Sequence, residues 1–276
     1  MNDTSYKIVL TRDGSYTLYL AEYDEHMHSL SGAYEEALLK HVHPSGILKQ
    51  NKKRLLVLDV GFGLGYNILA LIEELSKNKY DGDLSVISLE KERTLFPALQ
   101  SITFQNSRED AYSFIKQAYQ NGSSLKEGMT ISLLFGDART TVRSLPDDSF
   151  DAVFFDPFSP SRNPELWSLD FFKQMYRVMN GAAILTTYSS ALQIRTALLE
   201  AGFTVGRGPS VGGKREGTLA AKTGIITPLA AGDVAAIQCN TRSVPYRDRD
   251  LSGDSASILE RRRKEVRAKQ SEQKKG

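Results

Sequence analysis

The chain has 276 residues, of which 41% are hydrophobic and 25% charged, and its net charge is +2. This length can bury a sizeable core, and the composition is typical of a soluble globular protein. No apolar run approaches the ~20 residues of a membrane-spanning helix, and the N-terminus lacks the apolar segment of a signal peptide. The single cysteine, Cys239, excludes an intrachain disulfide and a thiolate metal cluster. We therefore expect a cytoplasmic protein that binds neither a membrane nor a metal.

The first 50 residues predict an extension ahead of the main core. In Ser5–Tyr23, apolar residues alternate with polar ones around Asp13-Gly14, which indicates a β-hairpin. From Ser31 onward the apolar spacing is helical. All four histidines fall in this part of the chain, in two pairs: His26 with His28 and His41 with His43. Members of a pair would lie on different sides of a helix, so we expect solvated or cofactor-adjacent histidines rather than a metal site.

A glycine-rich stretch at Asp59–Asn67, DVGFGLGYN, is the organising motif of the chain. The apolar run Leu55–Leu58 before it indicates a buried strand, and Ile68–Leu75 after it has helical spacing. Strand, glycine-rich turn and helix form a nucleotide-cofactor loop, because glycines lack the Cβ that blocks close approach of a ligand. Tyr66 stands where a dinucleotide fingerprint has its third glycine, which favours S-adenosylmethionine (SAM) over NAD. The alternative is an ordinary strand-to-helix turn.

Acidic residues end or follow three further predicted strands. They are Glu90, Asp137 and Asp156, at the ends of Leu84–Glu90, Ile131–Phe135 and Phe150–Phe155. Ligands of open α/β sheets bind beyond the carboxyl ends of the strands. We expect Glu90 to accept hydrogen bonds from ribose hydroxyls and Asp137 to meet the adenine amino group. Asp156 opens a proline-rich aromatic loop and is placed for substrate chemistry.

The remaining pattern completes an α/β protein. Further helices are predicted at Ile102–Gln120, Leu169–Met179 and Ala191–Glu200, and further strands at Ala182–Thr187, Phe203–Val205 and Gly217–Ala221. We expect a mostly parallel, doubly wound sheet in a core over residues 51–222. An N-terminal extension over 1–50 and a C-terminal extension over 223–276 flank it.

The C-terminal extension ends in a basic helix, which Ser255 or Ser257 could cap. The stretch Arg261–Gly276 carries most of the positive charge of the C-terminal extension. A basic segment of this kind indicates a polyanionic partner, with RNA the first candidate. From Ser271 onward we expect a solvated tail instead.

Several stretches together resemble the MnmC-type tRNA methyltransferases, which complete 5-methylaminomethyl-2-thiouridine at the wobble position. The matching motifs are GAYEEA at Gly32–Ala37, GFGLGYNIL at Gly61–Leu69, ISLEK at Ile87–Lys91, LLFGD at Leu133–Asp137, DAVFFDPFSPSRNPELW at Asp151–Trp167, TTYSS at Thr186–Ser190 and GGKRE at Gly212–Glu216. They occur in the family's order from about Gly32 to Leu219. The resemblance implies a Rossmann-like SAM-dependent methyltransferase in its stand-alone form, without the FAD oxidase domain that many members carry.

The same resemblance implies the site residues. The implied cofactor-binding set is Glu36, Asp59, Gly61, Gly63, Gly65, Asn67, Glu90, Asp137 and Asp156. Asp156 is also the catalytic candidate, which would orient an amine and accept or relay its proton. The substrate-binding candidates are Phe158, Tyr188, Arg162, Lys214 and Arg215. The two aromatic residues would contact the base or line its pocket, and the three cations would contact phosphates. Pro157 replaces the family's glycine and makes the triplet look like the D-P-P-Y/F motif of nucleic-acid amino-methyltransferases.

The expected activity is SAM-dependent N-methylation of the 5-aminomethyl group of wobble (2-thio)uridine in tRNA. A functional link to the enzymes that install the aminomethyl group follows from this expectation. Two alternatives remain open at this point. An aminopropyltransferase-like enzyme acting on a small amine would not depend on tRNA, and a non-catalytic RNA-binding protein would bind RNA without SAM.

Overall fold

The computed structural model describes residues 6–21, 24–105, 107–211 and 216–274. Its strands are β1 Tyr6–Leu10, β2 Tyr16–Leu20, β3 Glu25–His26, β4 Arg54–Val60, β5 Asp83–Glu90, β6 Ser123–Lys126, β7 Met129–Phe135, β8 Phe150–Phe155, β9 Met179–Thr187, β10 Thr204–Arg207 and β11 Thr218–Ala221. Its α-helices are α1 Ala33–Ala37, α2 Tyr66–Lys77, α3 Phe96–Ser101, α4 Ser107–Asn121, α5 Ala138–Thr141, α6 Leu169–Val178, α7 Leu192–Glu200, α8 Ala231–Cys239 and α9 Ser255–Gln273. A π-helical turn, Leu38–Val42, continues α1.

A twisted sheet of eight strands, in the order β10-β11-β9-β8-β4-β5-β7-β6, forms the centre of the molecule. The five strands from β9 to β7 in that order run parallel, while β11, β10 and β6 are antiparallel to their neighbours. The chain order reverses between β4 and β8, which is where ligands bind in doubly wound sheets. The predicted mostly parallel α/β fold is confirmed.

Helices cover both faces of the sheet and create two buried layers. Residues alternate between the faces along each strand, so Leu55 and Val57 of β4 join one layer while Leu58 and Val60 join the other. Helices α2 and α4 pack on the first layer, and α6 and α7 pack on the second. Strand β8 is buried along its whole length, which fixes the position of the loop that follows it.

The N-terminal hairpin is confirmed where the structure describes it. Strands β1 and β2 are antiparallel, and the Thr11 amide donates to the Ser15 carbonyl at 2.8 Å across a turn in which Gly14 has a φ of +81°. Strand β3 adds to β2. The helix expected from Ser31 begins two residues later, at Ala33. The Tyr16 amide donates to the Tyr66 hydroxyl at 2.8 Å, which joins this extension to α2.

The C-terminal segment packs on the second layer through Tyr246, Leu251 and Ile258. Helix α9 is capped by Asp254, whose carboxylate accepts from the Ser257 amide, so the expected cap at Ser255 or Ser257 is wrong. Part of the basic charge of α9 is used internally. Arg262 donates to the carbonyls of Val244 and Arg242, and Lys269 donates to that of Asn240.

Three local expectations differ from the structure. The helix predicted over Ile102–Gln120 is wrong in its first turn, because α3 ends at Ser101 and α4 starts at Ser107. The Phe104 amide between them donates to Glu109 at 2.6 Å. Strand β6 and helix α8 were not predicted, because β6 has only four residues and none of them is buried, and α8 buries only Ile237.

Candidate active site

A cavity of about 510 Å³ lies at the carboxyl ends of the parallel strands, within the size range of ligand sites. Four parts of the chain line it. They are the segment Glu25–His28 with Glu36, the glycine loop, the ends of β5 and β7, and the loop from Asp156 to Leu166. Tyr188 and Ser255 complete the wall. The cavity therefore joins the reversal point of the sheet to both terminal extensions.

The three loop glycines meet three different requirements. Gly61 has a φ of +90°, and a Cβ there would stand 2.8 Å from the Asp156 carbonyl oxygen. Gly63 lines the cavity, and its amide donates to Glu90 Oε2 at 3.0 Å. Gly65 precedes α2 with a φ of +75°, and a Cβ there would meet Ile115 at 2.6 Å. Gly61 and Gly63 therefore keep the loop close to the cavity, while Gly65 fits α2 against α4.

Two predicted cofactor residues, Glu90 and Glu36, are buried carboxylates at the cavity wall. Burial raises the pKa of Glu90, and the amides of Glu92 and Gly63 that donate to it oppose the rise. Glu36 accepts from the Ser29 amide at 2.7 Å. Both side chains are held by backbone donors, so their orientation toward the cavity is set before a ligand enters.

Asp137 belongs to an ion-pair network that no local sequence pattern indicates. Its carboxylate accepts from the Arg139 amide and from the Arg139 guanidinium. Burial would raise the pKa of Asp137, but Arg139 holds it below its ordinary value. Arg139 Nη1 also donates to Asp248 Oδ2 and to the Gly253 carbonyl, each at 2.7 Å. The C-terminal segment is therefore tied to the far end of the cavity.

Asp59 and Asn67 lie behind the cavity wall. Asp59 is fully buried, and Ser88 Oγ donates to it at 2.6 Å. Burial raises the pKa of Asp59 to about 7. Asn67 Nδ2 stands 3.3 Å from both Asp59 Oδ1 and Asp156 Oδ2, so its amide bridges the two carboxylates. Neither residue lines the cavity. Any effect of Asp59 or Asn67 on cofactor binding would therefore be indirect, through the glycine loop and Asp156.

Asp156 faces the cavity directly after β8, with its side chain 16% exposed. His41 Nε2 lies 3.6 Å from Asp156 Oδ1, and the imidazole is fully buried. Burial would raise the pKa of Asp156, but His41, followed by His28 and Asn67, lowers it below its ordinary value. The carboxylate is thus held ionised at the wall. In the sequence, His41 is one position of a predicted helix. Its contact with Asp156 becomes visible only in the folded chain.

The aromatic candidates for substrate binding line the same cavity. Phe158 follows Pro157 in the loop, and the Tyr188 hydroxyl donates to the Pro157 carbonyl at 3.0 Å. Trp167 is buried and donates to the Phe158 carbonyl at 2.8 Å, so it supports the loop.

Of the three basic residues predicted to contact phosphates, the structure describes only Arg162. Arg162 lines the cavity and lies 3.5 Å from Asp24. Lys214 and Arg215 fall outside the described residues. Glu25, His26 and His28 also line the cavity. The two histidines were expected as solvated or cofactor-adjacent groups, and Glu25 was not predicted, because no pattern around it indicates a site.

Within the described ranges, no group of three His, Cys, Asp or Glu side chains is arranged to hold a metal ion. The helices of these ranges also include none long and apolar enough to cross a membrane.

The fold and the cavity define the chain as a SAM-dependent methyltransferase. The glycine loop leaves room beside Gly63, and the carboxylates beyond β5 and β7 supply acceptors suited to a nucleoside. A family model described as S-adenosyl-L-methionine-dependent methyltransferase matches residues 103–223. The crystal structure of MnmC2 from Aquifex aeolicus superposes with a TM-score of 0.86 at 32% identity, covering 97% of this chain and 87% of that one. The chain belongs to the MnmC2 family.

Relatives found by sequence agree with the structural match. The tRNA 5-methylaminomethyl-2-thiouridine biosynthesis bifunctional protein MnmC of Ralstonia nicotianae is 31% identical over 219 residues, which are 74% of this chain. The chain spans only 33% of the length of that relative. An uncharacterized protein of Methanocaldococcus jannaschii is 34% identical over 260 residues, which are 92% of this chain and 71% of the relative.

Proposed function

We propose that the enzyme N-methylates the 5-aminomethyl group of wobble (2-thio)uridine in tRNA, giving 5-methylaminomethyl-2-thiouridine. The observation that carries the proposal is the ionised carboxylate of Asp156 at the cavity wall, beside the glycine loop. The names of the MnmC relatives supply the substrate class. We further propose that the enzyme acts in the cytoplasm, after the enzymes that install the aminomethyl group.

Asp156 would prepare the acceptor amine for reaction. A primary alkylamine is mostly protonated at neutral pH, and its lone pair is free only after the proton leaves. A carboxylate accepts a hydrogen bond from the ammonium group and takes up or relays its proton. Because His41 and Asn67 already hold Asp156 on its inner side, the cavity side of the carboxylate is left to orient the amine. Proximity and orientation then contribute to the rate as well as proton transfer.

The methyl donor would be held by the other half of the cavity. Glu90 would accept from the ribose hydroxyls and Asp137 would lie near the adenine amino group, with Gly61 and Gly63 allowing close approach. SAM, if bound there, would supply a methyl group on a positively charged sulfur for transfer to the lone pair of the amine. Asp156 would release to solvent the proton that it took from the amine, and the methylated amine would leave in its protonated form.

The uridine would enter from the side of the Asp156–Leu166 loop. Phe158 would stack on the base or wall the amine pocket, and Tyr188 would line that pocket. Arg162, on the rim and 47% exposed, would contact a phosphate. Lys214 and Arg215 stay predictions of further phosphate contacts.

The test is incubation of the protein with radiolabelled SAM and three forms of tRNA. These carry unmodified, 5-aminomethyl or 5-carboxymethylaminomethyl uridine at the wobble position. We expect label only in the aminomethyl form, with 5-methylaminomethyluridine identified after nuclease digestion. Label in spermidine-like amines with none in tRNA would reject the proposal.

A further inference from the structure

A chain of buried polar side chains runs across the sheet beneath the cavity. Ser88 donates to Asp59, Asn67 bridges Asp59 and Asp156, and His41 lies on the other side of Asp156. Thr186 ends this polar chain, with its Oγ1 3.1 Å from His41 Nδ1. The members come from β5, β4, α2, the end of β8, the turn after α1, and β9. Asp156 is the member that faces the cavity.

The contacts of His41 determine where its proton lies. Thr186 Oγ1 is also 3.4 Å from the Val153 carbonyl. If the hydroxyl donates to His41 Nδ1, the ring carries its proton on Nε2. If the hydroxyl donates to Val153, Nδ1 carries a proton, and a bare Nε2 lone pair would face the Asp156 carboxylate. The first arrangement is favoured, because it places an N–H toward Asp156 while the second sets two acceptors against each other.

Because His41 is buried, it can act only on the side chains that surround it, such as Asp156. Its ring is fully buried against Phe154, with centroids 6.0 Å apart, and it does not line the cavity. Among the described residues, Nε2 has no hydrogen-bond partner, and its nearest ionised oxygen is Asp156 Oδ1 at 3.6 Å. Closure of this gap by a small movement would complete a charge-assisted hydrogen bond.

We propose that His41 is a positioning residue for Asp156, which holds the carboxylate ionised and turned toward the acceptor amine. The proposal rests on the proposed function, because it takes Asp156 as the group that accepts the proton of the amine. Thr186 sets the ring orientation of His41 in the same way that second partners orient histidines elsewhere.

Other titratable groups surround Asp156 and contribute to its charge state. Asp59 lies behind Asn67, and His28 faces Asp156 from the N-terminal segment. Tyr188, Glu25 and Glu36 also line the cavity. The charges of Asp59 and Asp156 oppose each other, and His41, His28 and Asn67 favour the ionised form of Asp156.

The test compares pH profiles of kcat for methyl transfer to aminomethyl-bearing tRNA at saturating SAM. The ratio of variant to wild-type kcat at each pH cancels the titration of the amine itself. For His41→Phe we expect this ratio to fall from pH 8.5 to pH 6, because the buried Asp156 carboxyl without its N–H neighbour keeps its proton to higher pH, and a carboxyl whose pKa lies one unit above the pH is only about one-tenth ionised. Thr186→Val should show the same trend more weakly. His41→Gln, which keeps an N–H donor, should recover part of the loss, and SAM affinity should be unchanged in all three.

A ratio that is the same at every pH would overturn the proposal, because a merely structural role lowers activity uniformly. If His41→Phe does not fold, the profile of Thr186→Val decides between the two outcomes. Nitrogen-15 NMR of the histidine rings gives a second readout that needs no substrate. We expect an Nε2–H ring for His41 whose signal shifts in Asp156→Asn and not in Asp81→Asn, and an unshifted signal would count against the proposal.

The NMR readout also separates this inference from the proposed function. If the wild-type protein methylates no tRNA while the His41 signal responds to Asp156→Asn, the proposed function fails and the positioning contact stands. If tRNA is methylated and the ratio of variant to wild-type kcat is the same at every pH, only the positioning role of His41 is rejected.

Discussion

Asp156 is the residue on which the chemistry depends most. We expect Asp156→Asn to lower the single-turnover rate of methyl transfer by about 100-fold or more, as for loss of a general base. SAM affinity, measured by calorimetry, should change little, because the asparagine keeps the shape of the loop. Asp81→Asn makes the same chemical change at an exposed position before β5 and serves as the control. A collapse of SAM affinity in Asp156→Asn would make Asp156 a cofactor or structural residue instead.

A substitution at Glu90 tests whether this end of the cavity binds the cofactor. A glutamine there cannot reproduce a carboxylate that accepts from two backbone amides, those of Gly63 and Glu92. We expect Glu90→Gln to weaken SAM binding about tenfold or more, the usual effect of losing a charge-assisted hydrogen bond. Glu127→Gln, in the exposed turn between β6 and β7, is the matched control. Equal SAM affinities in the two variants would remove Glu90 from the cofactor site.

At the scale of elements, the glycine loop and the end of β8 depend on each other. Gly61→Ala places a methyl group 2.8 Å from the Asp156 carbonyl oxygen and also strains a φ of +90°. Gly122→Ala strains a φ of +81° with no heavy atom within 4 Å. Each variant should lose about 1 kcal/mol of unfolding free energy from backbone strain.

We expect Gly61→Ala to lose more stability than Gly122→Ala in urea unfolding, and to lose SAM affinity and activity as well. The additional loss measures the contact between the glycine loop and the end of β8. Identical behaviour of the two variants would show that the loop can move away from Asp156 without cost.

Arg139 joins the C-terminal segment to the end of β7. Arg139→Gln removes the bonds to Asp137, Asp248 and Gly253, so we expect weaker SAM binding and faster limited proteolysis within 249–274. Arg143→Gln removes one bond to the Asp250 carbonyl without touching Asp137, and it should leave SAM affinity unchanged. Addition of SAM should slow the proteolysis of the wild type. Rates that do not respond to SAM would show that the segment and the cofactor site are independent.

At the scale of the whole molecule, Asp59 makes stability depend on pH. Its pKa is raised to about 7 in the folded chain from 3.8, so folding favours its protonated form. The stability it contributes is fully present below pH 3.8 and is lost as the pH rises to about 7. Asp156 has a lowered pKa and acts with the opposite sign, losing its contribution only as the pH falls below its ordinary value.

We therefore expect wild-type protein to lose unfolding free energy between about pH 4 and pH 7 through Asp59, and Asp59→Asn to lose less over this interval. Urea unfolding at several pH values measures the difference, with Asp81→Asn as the control. An unchanged pH dependence in Asp59→Asn would assign the titration to another group.

The sequence predicted those parts of the molecule that local rules specify. The apolar runs of β4, β5, β7 and β8 and the glycine turn identified the core of the sheet, because burial and backbone freedom act over a few residues. Acidic residues at strand ends could be placed together, since parallel strands present their carboxyl ends at one edge. The division at residues 50 and 222 stays a prediction.

The sequence alone determined that this is an α/β protein with a SAM loop and a candidate carboxylate after β8. The tertiary structure decided which side chains touch that carboxylate and which touch the cofactor end. His41 and Asp156 are 115 residues apart in the chain, and Arg139 and Asp248 are 109 apart. No local pattern encodes such contacts, because they form only when the sheet order and the packing of both extensions bring the residues together.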